Sequence, residues 1–255
     1  MAVRGEHCPV GTSELKGAVG VNIFDALWCS SEFMRSPCTH VNVLDSLRFL
    51  AASGVHFFRF FASLYGGAQV HWLLHPGRFW ANFEKLMDAV DAVGLHVVFS
   101  IGAESWHDVA NRLVNATTTH NMSKLPTWVE TLASTLASRW PRHARGTRGP
   151  ETVNDLVTDA SSLARALALN YTDQLVRTFR HRSNVLFWEL GNELNLKPNM
   201  VNQCGLGAAG DRGPSLRCFN TSSMVAYTHD LVATIRRADA TRPISSGFGT
   251  TRPNA

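Results

Sequence analysis

A helix that stops at a glycine and feeds directly into an apolar strand occurs twice in nearly the same form. The two copies are Leu50-Ala51-Ala52-Ser53-Gly54-Val55-His56-Phe57-Phe58 and Asp91-Ala92-Val93-Gly94-Leu95-His96-Val97-Val98. Glycine ends a helix because it enters the left-handed conformation without a Cβ clash, and it frees the chain to turn back over the helix it has just left. Strands that alternate with helices in this way pair in parallel, because a parallel neighbour needs a long crossover where an antiparallel one needs only a tight turn. The repeated unit therefore selects an α/β fold with a mainly parallel sheet and helices outside it.

The rest of the chain continues the pattern. Ala18 to Phe24 reads as a first strand, Val41 to Ser53 as a helix, and Val55 to Phe61 as a second strand. A helix over Phe79 to Val93 carries Phe83, Leu86, Met87 and Val90 on one face, and Leu95 to Ile101 is a third strand. The connection from Gly102 to about Ser183 is long. It holds a short helix at Leu125 to Ser138, a basic Pro/Gly-punctuated loop at Arg139 to Arg148, and a helix from about Leu156 to Arg182. Val185 to Leu190 is a fourth strand, a glycine-rich loop runs to Ser215, Met224 to Ala238 is a helix, and Pro243 to Gly247 begins a fifth strand.

The fourth strand ends in the most reactive-looking stretch of the chain, Phe187-Trp188-Glu189-Leu190-Gly191-Asn192-Glu193. Buried parallel strands read as apolar runs, and carboxylates at their C-terminal ends sit where β/α barrels place their chemistry. A period of two puts Glu189, Gly191 and Glu193 on one face, and Trp188, Leu190 and Asn192 on the other.

Composition excludes several classes. The net charge of +4 is spread over 255 residues, and the arginines are scattered or confined to one loop, so nucleic acid is not an expected partner. No apolar run is long enough to span a membrane. No Cys-x-x-Cys or clustered Cys/His spacing suggests a metal, and no cofactor is expected. The first residues lack the apolar core of a signal peptide, which taken literally implies an intracellular protein. Sequons at Asn115, Asn121, Asn170 and Asn220 lean towards the secretory pathway or the extracellular space, as do the close cysteine pairs Cys29/Cys38 and Cys204/Cys218. Unrelated thiols remain the other reading of those cysteines, and Cys8 is left over.

Several landmarks together resemble glycoside hydrolase clan A, and look closest to the family 5 cellulases and β-mannanases. They are Gly20-Val21-Asn22 on strand one, Phe57-Phe58-Arg59-Phe60 on strand two, and the Phe187 to Glu193 run on strand four. The resemblance covers roughly residues 18 to 250. It implies a (β/α)8 barrel, of which this chain supplies about the first five βα units, with residues 1–17 as an N-terminal extension and 18–255 as the catalytic region. It also implies a monomer that acts on a β-linked polysaccharide, glucan or mannan. Residue by residue, Glu193 matches the acid/base, Asn192 the residue that contacts the sugar 2-hydroxyl, and Arg59 the arginine that steadies a nucleophilic glutamate on strand seven. Retaining hydrolysis needs these types: one carboxylic acid to protonate the leaving oxygen and a second carboxylate about 5 to 5.5 Å away to attack the anomeric carbon.

The sequence departs from that pattern in two places. No counterpart of strand seven follows, and strand three ends Phe99-Ser100-Ile101-Gly102 where many relatives have Asp-x-His. Trp106, His107 and Asp108 come next, with His107 placed to line the cleft. Trp28 and Trp106 lie near strand ends, where indole faces serve as platforms for sugar rings. Glu189 is expected to lie about 13 Å deeper along the strand than Glu193, too far to act as the nucleophile. Glu104 and Asp108 are weaker candidates for the base of an inverting site. Two further readings stay open. One is a non-catalytic remnant that binds carbohydrate at most. The other is a metal- or phosphate-dependent barrel enzyme, against which stands the lack of His-x-His or glycine-rich phosphate signatures.

Overall fold

The computed structural model describes residues 17–30, 42–64, 69–102, 105–118, 127, 130–131, 151–196, 198 and 219–249. Five strands form one sheet: β1 (Gly20–Asn22), β2 (Phe57–Phe61), β3 (His96–Ser100), β4 (Val185–Glu189) and β5 (Ile244–Ser245). Their order in space is their order in the chain, and every neighbouring pair is parallel. A doubly wound sheet reverses its strand order at a switch point, whereas a barrel winds always in one direction. The described sheet has no reversal, which is the barrel manner of winding.

The crossovers are helical. They comprise α1 (Ala26–Ser30), α2 (Val43–Ala52), α3 (Val70–Leu74), α4 (Pro76–Ala92), α5 (Trp106–Thr118), α6 (Val153–Thr158), α7 (Leu163–Phe179) and α8 (Thr221–Ala238). Helix ends follow local chemistry. Asn42 caps α2 by accepting from the Leu44 and Asp45 amides, and Asn220 caps α8 through the Ser223 amide. Pro76 opens α4, earlier than the apolar periodicity alone implies, because its missing N–H is not needed in the first turn. Gly54 and Gly94 take φ of +78° and +73°, the left-handed stops read from the sequence. The single helix expected over Leu156 to Arg182 is instead two. Asp159 takes an extended conformation, its carboxylate accepts from the Ser161 amide and hydroxyl, and Ser162 then caps α7. Helices α3 and α5 were not expected. The helix expected at Leu125 to Ser138 falls almost wholly outside the described residues, as do the basic loop and most of the glycine-rich loop.

The sheet has two unlike faces. Phe58, Phe60, Val97, Phe99 and Trp188 face the helices and join Phe83, Tyr171, Leu175, Phe179 and Ile235 in one core. Aromatic rings dominate it: Phe83 and Phe179 lie 4.5 Å apart, Phe99 contacts Phe60 and Trp188 edge-on, and each such pair adds about 0.5–1.5 kcal/mol beyond burial. The Tyr171 hydroxyl donates to the Ala62 carbonyl, tying α7 to the end of β2. Between β3 and β4 the register slips: Val97 pairs with Val185 but Val98 with Phe187. The extra residue, Leu186, lets both Val185 and Trp188 enter the core, which strict alternation forbids. The opposite face carries Arg59, Val98, Ser100 and Glu189, and it is there that polar groups gather. No described helix is long and apolar enough to cross a membrane. Cys29 is disulfide-bonded, while Cys8, Cys38, Cys204 and Cys218 lie outside the described residues.

Candidate active site

Arg59 is the hub of the inner face. It sits mid-strand in β2, level with Asn22 of β1 and Val98 of β3. Its Nε donates to Glu189 Oε1 at 2.7 Å, and its terminal nitrogen Nη2 forms an ion pair with the same carboxylate. Nη2 also donates to Asn192 Oδ1 at 3.0 Å and to the Ser100 hydroxyl at 3.2 Å. The guanidinium plane lies 5.4 Å from the Phe24 ring centre and 5.9 Å from that of Phe61, two rings that stack on each other at 5.2 Å. Strands two, three and four thus bring together an arginine from mid-β2, the hydroxyl and carboxylate that end β3 and β4, and an amide from the turn after β4, all within hydrogen-bond reach. Only the rigid parallel sheet makes this possible, since 130 residues separate Arg59 from Glu189.

The chain then turns sharply. β4 ends at Glu189, so the alternation that put Asn192 on the face of Trp188 and Leu190 does not extend to it: Asn192 turns inward onto Arg59. Glu193 follows with φ of +55°, and it is exposed. A left-handed glutamate costs roughly 1–2 kcal/mol, and the fold holds it there through the Glu193 amide, which donates to the Gly247 carbonyl at 2.9 Å.

Glycines make room for this turn. A Cβ on Gly102 would stand 2.2 Å from the Leu190 carbonyl oxygen. One on Gly247, whose φ is +64°, would stand 1.8 Å from the Gly191 oxygen and 2.7 Å from Glu189 Cγ. The ends of β3 and β5 therefore press on the end of β4 from both sides, closer than any side chain permits. The Gly249 amide donates to Asn195 Oδ1 at 2.9 Å, holding the segment after β5 over the turn that carries Glu193.

Of the residues read from the sequence, Arg59 and Asn192 meet directly, and Glu193 is the next residue in the chain. The ionic partner of Arg59 among the described residues is Glu189, to which the sequence reading gave no role. Trp106 is corrected: it is 1% exposed, wedged edge-on against Trp72 and beside Tyr171, and offers no open face to a sugar. Trp28 lies half-buried in α1 and packs against the core. His107 is in the first turn of α5 with Nε2 3.4 Å from Asp108 Oδ1. Glu104 lies outside the described residues. Phe24, 43% exposed beside Arg59, is an aromatic ring at the site that its place just after the first strand did not single out. Among the described residues no group of three or more His, Cys, Asp or Glu is arranged to hold a metal.

Solved structures share this architecture. Two structures of an endo-1,4-β-mannanase from Thermotoga petrophila match with a TM-score of 0.50 each. One is 13% identical and is matched over 91% of this chain and 42% of its own; the other is 14% identical, over 91% and 55%. A glycoside hydrolase family 5 mannosidase from Rhizomucor miehei matches with a TM-score of 0.48 and 11% identity, over 90% of this chain and 50% of its own. The likeness to the two mannanase structures shows the fold alone. The chain spans about half the length of the solved structures it matches. No family model and no curated protein matches the sequence.

Proposed function

We propose that this chain carries the acid/base half of a retaining glycoside hydrolase site, acting on a β-linked polysaccharide of the mannan or glucan type. One observation carries the reading. Arg59 in the middle of β2 is bonded to Asn192 in the turn that follows the C-terminal end of β4, with Glu193 beside them, exposed and held in a strained turn. That is the edge of a parallel β/α fold where barrel chemistry is placed.

The roles follow from the chemistry. Glu193, protonated, gives its proton to the glycosidic oxygen as the C1–O bond breaks, so that the leaving sugar departs as a neutral alcohol. A second carboxylate takes C1, forming a covalent glycosyl ester. Water then attacks C1, Glu193 takes up its proton, and the ester bond breaks to return the carboxylate. Asn192 holds a hydroxyl of the sugar undergoing reaction. Arg59 supplies positive charge below the reacting centre, and Phe24 offers an apolar face to a ring. Glu189 is 7% exposed with its carboxylate engaged by Arg59, and it is given no bond-making step. The nucleophile is assigned to a later strand of the complete barrel.

Replacing Glu193 by Gln in the complete enzyme is expected to lower turnover of β-mannan or β-glucan by at least about 100-fold while leaving polysaccharide binding nearly intact. Activity within tenfold of wild type, about 1.4 kcal/mol in barrier, contradicts the assignment.

A further inference from the structure

We propose that Glu189 is a positioning residue that fixes the orientation of the Asn192 amide through Arg59, so that Asn192 meets the substrate as a hydrogen-bond donor. The inference rests on the glycosidase reading and deepens it. Arginine only donates, so the atom of Asn192 that faces Arg59 Nη2 at 3.0 Å is the amide oxygen. The Nδ2 group, with its two N–H donors, is thereby turned away from Arg59 towards the acceptor that the site must bind, a hydroxyl oxygen of the sugar beside Glu193. Asn192 keeps this orientation only while Arg59 keeps its own.

Three hydrogen-bonding residues and two aromatic rings hold Arg59, and Glu189 is the charged one among them. Its Oε1 receives Nε at 2.7 Å and pairs with Nη2, the same nitrogen that reaches Asn192 and Ser100. The Arg59 side chain is 16% exposed, so removing the charge of Glu189 leaves a largely enclosed guanidinium without that counter-ion. Its own position is fixed by backbone: the ends of β4 and β5 approach so closely that a Cβ on Gly247 would stand 2.7 Å from Glu189 Cγ and 2.9 Å from Cδ. The relay therefore runs from the β5 end to Glu189, to Arg59, to the Asn192 amide. It gives a role to a carboxylate that stands enclosed at the end of an apolar strand.

The substitution Glu189→Gln keeps the shape and one oxygen that can receive Nε and Nη2, but it removes the negative charge that anchors the guanidinium, so that Nη2 is held less firmly against Asn192. In the complete enzyme it is expected to lower kcat/KM on an aryl β-glycoside by at least about tenfold, chiefly in kcat, because the hydroxyl contact strengthens in the transition state. Two further results are expected. The loss shrinks below about threefold on the 2-deoxy analogue of the same substrate, and it adds nothing in an Asn192→Ala background. A purely structural role predicts equal losses on both substrates that multiply with Asn192→Ala, and that outcome overturns the proposal. If Glu189→Gln does not fold, Arg59→Lys, which keeps the charge on Glu189 but lacks the fork that spans to Asn192, must show the same pattern; equal, multiplying losses again overturn it. Glu193→Gln is run alongside. Should it retain activity, the glycosidase reading fails first and the relay with it, whereas a dead Glu193→Gln with multiplying Glu189 losses defeats the relay alone.

Discussion

Glu193 alone among the described non-glycine residues has a positive φ, and the glycines around it are there to permit its turn. The Asn-Glu pair at a strand end was legible, as was Arg59, because a charge inside an apolar strand stands out. Two things were not. Asn192 lies opposite to where a period of two puts it, since β4 stops three residues earlier and alternation holds only within a strand. Trp106 reads as a cleft residue from its place after β3, but helix α5 begins there and its first turn packs into the core; side-chain burial at a helix start depends on partners 65 residues away, such as Tyr171. The tight β4–β5 approach makes a prediction at this scale. Gly247→Ala must displace the Gly191 carbonyl and Glu189 and adopt a φ of +64°, so it is expected to cost at least about 2 kcal/mol in urea unfolding and to lower activity. A stability within 0.5 kcal/mol of wild type, about the usual scatter for surface changes, removes the clamp from the account.

Among elements, the helix–glycine–strand units around Gly54 and Gly94 were legible because their stops are local chemistry. The break between α6 and α7 was missed because apolar spacing runs on through Asp159 and Ser162, where side-chain hydrogen bonds override it. Glu151 reinforces that break. Its carboxylate accepts the Leu163 and Ala164 amides at the start of α7, while Asn111 of α5 grips its backbone from both sides. Burial pushes the Glu151 carboxyl pKa up against the pull of those amides, and Asp155 and Asp159 add to the rise. A carboxyl raised on folding binds its proton more tightly in the native state. Its contribution is therefore full at or below the unfolded value near 4.5 and declines as pH rises towards the folded value. Asp239 behaves oppositely. Burial alone would raise it, but the Arg242 and Thr241 amides, the Trp188 indole and the Arg242 charge bring it below its ordinary value. Stability from Asp239 is present above about 3.8 and lost as pH falls through the folded value. Asp239→Asn is expected to flatten the acid limb of a Tm-against-pH curve, and Glu151→Gln the limb just above pH 4.5; unchanged limbs in both variants would refute these assignments.

For the whole molecule, the sheet order and direction follow from the repeated βα unit, and strand five marks the same end of the fold as strands two to four. Protection should follow the sheet. β2, β3 and β4 have five residues each and neighbours on both sides, whereas β1 has three residues and β5 two. Amide exchange is expected to be slowest in β3 and fastest among strands in β1 and β5. Equal protection in β5 and β3 would mean that the two-residue strand is locked by packing beyond the contacts described.

Chemical rescue separates an acid/base role for Glu193 in a retaining site from every other role it could have. In the complete enzyme, Glu193→Ala leaves a space in which azide can reach C1 of the glycosyl ester without a general base. With an activated aryl β-glycoside the account predicts that azide restores turnover and that the product is the β-glycosyl azide. An α-glycosyl azide would make Glu193 the nucleophile instead, and full activity of Glu193→Ala without azide would contradict the account outright.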